Sequence, residues 1–155
     1  MTETEWMAEA LRLAELAGTE GETPVGAVIV DSDGTIIGRG RNTREAGNPL
    51  GHAELLAIAE AAQAVGGWRL VGTTMVVTLE PCAMCAGAIV NARIPRLIFG
   101  APDPKAGFCG SLGNLVQDPR LNHRVELVGG FEEERARALL QSFFRDLRKG
   151  KFTAG

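Results

Sequence analysis

The stretch TMVVTLEPCAMCAGAIVNARIPRLIFG, residues 74–100, carries a strand, a helix and a second strand in succession. "TMVVTL" is an unbroken apolar run of the kind buried on both faces. "CAMCAGAIVNA" is rich in small residues and reads as a helix. Pro81 is tolerated at its start because a helix's first N–H groups lack intrahelical partners anyway. "RLIFG" is again a strand, and a crossover of this type makes its two strands parallel. Upstream, residues 5–17 fit a helix with Trp6, Ala10, Leu13 and Ala17 on one face. "PVGAVIVD", the turn "DSDG" and "TIIGRGRN" read as a hairpin. Leu55, Ile58, Ala59 and Ala62 place a helix over Ala53 to Val65, ended by Gly66 and Gly67. Downstream, a loop rich in Gly, Pro and Asn runs from Ala101 to Arg124, and loops of that length are often functional. "RVELVGG" is a last short strand. Residues 131–149 form a final helix, with Ala136, Leu139, Leu140, Phe143, Phe144 and Leu147 inward. The order predicts an α/β fold: one three-layer α-β-α domain over residues 1–155, built on a mixed five-stranded sheet.

Bulk properties bound the function. With 45% hydrophobic and 23% charged residues in 155, the composition is globular rather than disordered or fibrous. No apolar run approaches the ~20 residues a membrane helix needs. The opening "MTETEWMAEALRLAELAG" is acidic and lacks the basic and apolar regions of a signal peptide. The expected setting is the cytoplasm, where close cysteines more often bind metal or catalyse than form structural disulfides. The net charge of −3 gives no global signal for nucleic acid. It is unevenly spread: six acids and one base in residues 1–30, six and five in 31–93, seven and ten in 94–155. The basic end "RDLRKGK" reads either as a helix end whose cations suit the dipole or as a local surface for an anionic ligand.

Cys82 and Cys85 lie three apart at a helix start, on its first turn, where the positive end of the dipole favours thiolates. Alone, the pair fits a redox motif, a structural zinc site or half of a catalytic one. Further ligand candidates are few: His52, His123 and Cys109. His52 opens "HAELLAI", two residues before Glu54. H-x-E followed by P-C-x-x-C about thirty residues on is the signature of zinc nucleobase deaminases, with the glutamate outside the ligand set. Three protein ligands leave a fourth position for water, whose pKa zinc draws from ~15.7 towards ~7. Glu54 then serves as the proton shuttle.

Beyond these residues, the sequence resembles the bacterial tRNA-specific adenosine deaminases, which convert the wobble adenosine of an anticodon to inosine. "PVGAVIV", "HAELLAI" and "TLEPCAMCAGAI" are shared with related base deaminases; "RLIFGAPDPKAGFCGSLGNL", "LNHRVE" and "LLQSFFRDLR" point to the tRNA branch. The resemblance implies a cytidine-deaminase-like fold, a homodimer, and one zinc per subunit held by His52, Cys82 and Cys85. It implies that Asn42 and the backbone at Ala53 bond the flipped base. Asp103, Lys105, Asn122, His123, Phe144 and Arg145 are then expected to hold the anticodon stem-loop.

Other readings stand beside these. Asn42 fits a turn cap, Phe144 the core, His123 a surface loop, and Cys109 a small buried thiol. Glu80 fits either a hydrogen-bonding group behind the metal or a strand end without chemistry. Gly51 stands where some relatives carry Ala. Two alternatives stand beside the tRNA reading: a deaminase of free guanine or cytosine, which shares the four core residues, and an inactive RNA-binding subunit held together by zinc, against which Glu54 speaks.

Overall fold

A computed structural model describes residues 1–150. Helix α1 (Glu3–Thr19) starts two residues before the expected point. Thr2 accepts from the Glu5 amide while the Glu5 carboxylate accepts from the Thr2 amide, a capping box that satisfies two otherwise unpaired donors. The hairpin follows as β1 (Gly26–Val30) and β2 (Ile36–Arg41), then α2 (Ala53–Val65), β3 (Thr74–Leu79), α3 (Ala83–Asn91), β4 (Arg96–Ala101), β5 (Glu126–Val128) and α4 (Glu133–Arg148). At the hairpin turn, Asp31 Oδ1 accepts from the amides of Asp33 and Thr35, at 2.9 and 3.0 Å.

The strands form one mixed sheet in the order β2-β1-β3-β4-β5. The β1 strand is antiparallel to both its neighbours, and β3, β4 and β5 run parallel. The crossover of residues 74–100 therefore sits at the sheet centre, as its sequence requires. Every residue of β1 is buried, because helices cover both faces. Ala27 and Ile29 face Ala53, Ala57, Ala61, Ala86 and Ile89 of α2 and α3. Val28 and Val30 face Met7, Ala10 and Leu11 of α1, in a layer that also holds Ala136 of α4. This alternation makes the three layers.

How close the helices lie is set by residues without a Cβ. A Cβ on Gly40 would fall 2.1 Å from the Ala53 carbonyl oxygen. The start of α2, which carries His52 and Glu54, therefore rests directly on the β2 backbone.

Three expectations need correction. Cys82 is not on the first turn of α3 but is its N-cap, with extended backbone (φ −73°, ψ 178°). The last strand pairs over only three residues. Phe144 is 41% exposed rather than inward: at the fourth turn of α4, the residue that meets the core is Phe143, against which Phe144 packs edge-on at 5.4 Å. The basic stretch Arg145 to Lys151 lies within the described residues except for Lys151.

A candidate metal centre and its pocket

Two helix starts meet at the C-terminal edge of β3. His52 is the N-cap of α2 and Cys82 the N-cap of α3; Cys85 is buried one turn further on. His52 Nδ1 stands 3.7 Å from Cys82 Sγ and 3.6 Å from Cys85 Sγ. A tetrahedral zinc, with Zn–S of about 2.3 Å and Zn–N of about 2.0–2.1 Å, holds sulfur and nitrogen about 3.6 Å apart. The three donor atoms all lie within 4.8 Å of one another, so the residues present fit the ion. Cys109 and His123 lie outside this cluster. A three-donor set suits a catalytic zinc with an open position better than a four-ligand structural site.

The electrostatics suit the same use. The Cys82 thiol is drawn down to about 5, foremost by a hydrogen bond from the Cys85 thiol, against the opposing effect of burial. Backbone amides at the start of α3 and His52 also favour the thiolate. Cys85 is pushed up because it donates that proton and is buried. Glu54, on the first turn of α2, is 4% exposed. Burial raises it to about 7; its own backbone amide opposes the rise, the Cys82 charge adds to it, and the Cys85 thiol opposes it. A carboxyl that titrates near neutrality is suited to both taking and giving a proton.

His52, Glu54 and Cys82 open onto a cavity of about 180 Å³, whose wall includes Asn42, Glu80, Asp103 and Ala106. Asn42 is anchored by its amide nitrogen, which donates to the Thr23 carbonyl at 3.1 Å. Its Oδ1 accepts from the Ala53 amide at 3.0 Å, so the two groups expected to meet a base satisfy each other here. Gly51 has no room for a larger residue: a Cβ would fall 2.5 Å from Thr43 Oγ1. Cys109 is buried with its thiol raised to about 12, chiefly by desolvation, the small buried thiol of the simpler reading.

Lys105, Phe144 and Arg145 line a neighbouring cleft of about 650 Å³ together with Arg137 and Arg148, and among the described residues no acidic one lines it. Asn122 is exposed and His123 places Nε2 2.7 Å from the Ile94 carbonyl; neither lines the cavity or the cleft. Glu22, which the sequence reading passed over, is a further wall residue of the cavity. It is 4% exposed and accepts from the Glu45 amide at 3.0 Å. Its signal in "GETPVG" was only an acid beside a strand start.

The fold and this donor set define a class, zinc-binding base deaminases. The profile of the cytidine and deoxycytidylate deaminase zinc-binding region matches residues 1–101, and the chain belongs to that family. It is 50% identical over 156 residues to the tRNA-specific adenosine deaminase of Bacillus subtilis strain 168, an alignment covering 99% of this chain and 96% of that one. A structure from work on A-to-I editing by tRNA:A34 deaminases at the wobble position superposes with a TM-score of 0.84 at 42% identity, over 89% of this chain and all of the other. A guanine deaminase from Bacillus subtilis superposes with a TM-score of 0.64 at 28% identity, over 96% and 95% of the two chains.

Proposed function

We propose that the protein hydrolyses adenosine to inosine at the wobble position of a tRNA anticodon loop, releasing ammonia. One observation carries the reading: the donors of His52, Cys82 and Cys85, with buried Glu54 beside them, open next to a basic cleft on α4. A free base has no use for such a cleft, whereas RNA phosphates meet Lys and Arg. The 50% identity to a tRNA-specific adenosine deaminase supports the same substrate.

His52, Cys82 and Cys85 hold one zinc per subunit, which supplies a water activated for attack near neutral pH. Glu54 takes one proton of the attacking water and delivers it to the ring nitrogen beside the reacting carbon; it then takes the proton of the hydroxyl now on that carbon and passes it to the amine, which leaves as ammonia while the C=O bond forms. The Asn42 side chain turns from the Ala53 amide to the base edge when the nucleotide is flipped into the cavity, which leaves that amide free to bond the base as well. Lys105, Phe144 and Arg145 take the flanking nucleotides by charge and stacking, with Asp103, Asn122 and His123 completing the hold on the loop. The protein acts as a single domain, as a homodimer, in the cytoplasm where its tRNA is found. Among the described residues no helix is long and apolar enough to cross a membrane.

The test is an anticodon stem-loop with a wobble adenosine, incubated with zinc-loaded protein and read for inosine. Product at the wobble position supports the proposal; its absence refutes it. Turnover of free guanine or cytosine with no action on RNA replaces it with the free-base reading.

A further inference from the structure

Glu80 neither belongs to the donor set nor carries the proton, yet its side chain is the best-coordinated carboxylate of the site. It is 2% exposed. Its Oε1 accepts from the Asp103 amide at 2.9 Å and the Ser111 hydroxyl at 2.5 Å. Its Oε2 accepts from the amides of Cys109 and Ser111, both at 3.0 Å. An ionised carboxylate only accepts, so four donors match it fully, and bonds to a charged acceptor are about twice as strong as neutral ones.

The loop of residues 101–113 is folded around this group. The Glu80 amide donates to the Ala101 carbonyl at 2.8 Å, and the Phe108 amide to the Pro81 carbonyl at 2.9 Å. Gly107 passes so near that a Cβ there would sit 2.3–2.5 Å from the carboxylate atoms. The fold of the loop puts Asp103 and Ala106 into the cavity wall beside His52, Glu54 and Cys82, and Lys105 into the basic cleft beside Phe144 and Arg145. One buried side chain thus ties the approach to the metal to the surface of the cleft.

We propose that Glu80 is a positioning residue for the substrate: by anchoring the 101–113 loop it sets binding of the RNA loop and leaves the chemical step to the metal and Glu54. The substrate half of this inference rests on the function proposed above; the anchoring half rests on the geometry alone.

Glu80→Gln preserves shape but turns an NH2 towards donors. It is expected to retain zinc, to speed amide hydrogen exchange across residues 101–113, and to raise KM for the anticodon stem-loop about tenfold with kcat within about twofold, the pattern of lost uniform binding. Ser111→Ala, which deletes one hydroxyl, is expected to show the same split in smaller degree. Unchanged exchange in the loop overturns the proposal, as does a fall in kcat at constant KM. If Glu80→Gln loses zinc, Ser111→Ala decides: wild-type KM there overturns it. Should the wild type form no inosine on any stem-loop, the function fails, and the exchange comparison still judges the anchor. Should the wild type be active and both variants match it, only the role of Glu80 fails.

Discussion

Cys85 Sγ lies 3.6 Å from His52 Nδ1, although thirty-three positions separate the two in the chain. The approach depends on two helices that start at the same edge of the sheet, α2 laid on the β2 backbone and α3 fed by the central strand β3. The thiol–imidazole spacing is that of ligands on a common tetrahedral ion, and the two helix starts bring it about.

Metal removal is expected to abolish deamination while leaving the fold. Chelator-treated protein, His52→Ala and Cys85→Ala should carry less than one zinc per chain by elemental analysis and keep a wild-type far-UV spectrum. The two hydrophobic clusters that cover the sheet contain none of the three ligands. Zinc occupancy should fall as pH drops, because protons compete with the metal for the thiolates, and recover as pH rises.

Glu54→Gln tests the proposed proton shuttle apart from the metal. It removes a buried acid that titrates near neutrality and replaces none of the three ligands. The expected result is full zinc content with kcat lowered by about 10²–10⁴-fold, the usual contribution of a positioned acid–base group. Single-turnover assays on the stem-loop, with metal measured in the same sample, check it; near-wild-type turnover would contradict the role.

Arg145→Glu places an acid in a cleft lined by Lys105, Arg137 and Arg148. KM for the stem-loop should rise and kcat stay near the wild-type value. If Arg145 meets one phosphate, the log–log dependence of RNA affinity on salt should also flatten by about 0.7 for a single-stranded contact. Binding titrations at several salt concentrations read both effects.

Gly40→Ala tests the seat of α2. Its Cβ would lie 2.1 Å from the Ala53 carbonyl oxygen and 2.8 Å from the Ala57 amide nitrogen, both backbone atoms of one helix. The helix must move away, which costs about 1–3 kcal/mol by the usual scale of overpacking. Urea unfolding of the zinc-free protein should show that loss, and zinc affinity should weaken because His52 moves with the helix.

Much of this architecture is legible from local pattern. Apolar runs, helical spacing and turn residues place the four α-helices and five strands of the described residues, since each depends on neighbours a few residues away; the 3-10 turn at Arg44–Ala46 shows no such pattern. His52, Cys82 and Cys85, which the fold brings within reach of one ion, could be picked out because their motifs show in one dimension, and the proposed shuttle Glu54 stands in the same motif as His52. Phe144 was misread because both Phe143 and Phe144 fit an apolar stripe; only packing against the sheet decides which of two adjacent aromatics turns inward.

Glu80 shows the boundary best. In "TLEPCAMC" it is an acid after a strand, and nothing in its neighbours along the chain assigns it a partner. Its four donors come from residues 23 to 31 positions later, brought back by a loop with no periodicity to read. The sequence by itself determined the α-helices, the strands and the crossover, because those follow from short-range spacing, and it nominated the metal-ligand set through the H-x-E and P-C-x-x-C motifs and the resemblance they carry. Only the tertiary structure decided what Glu80 holds, which way Phe144 faces, and that Asn42 and the Ala53 amide meet each other, because hydrogen-bond partners and packing faces are set by which distant segments the fold brings together.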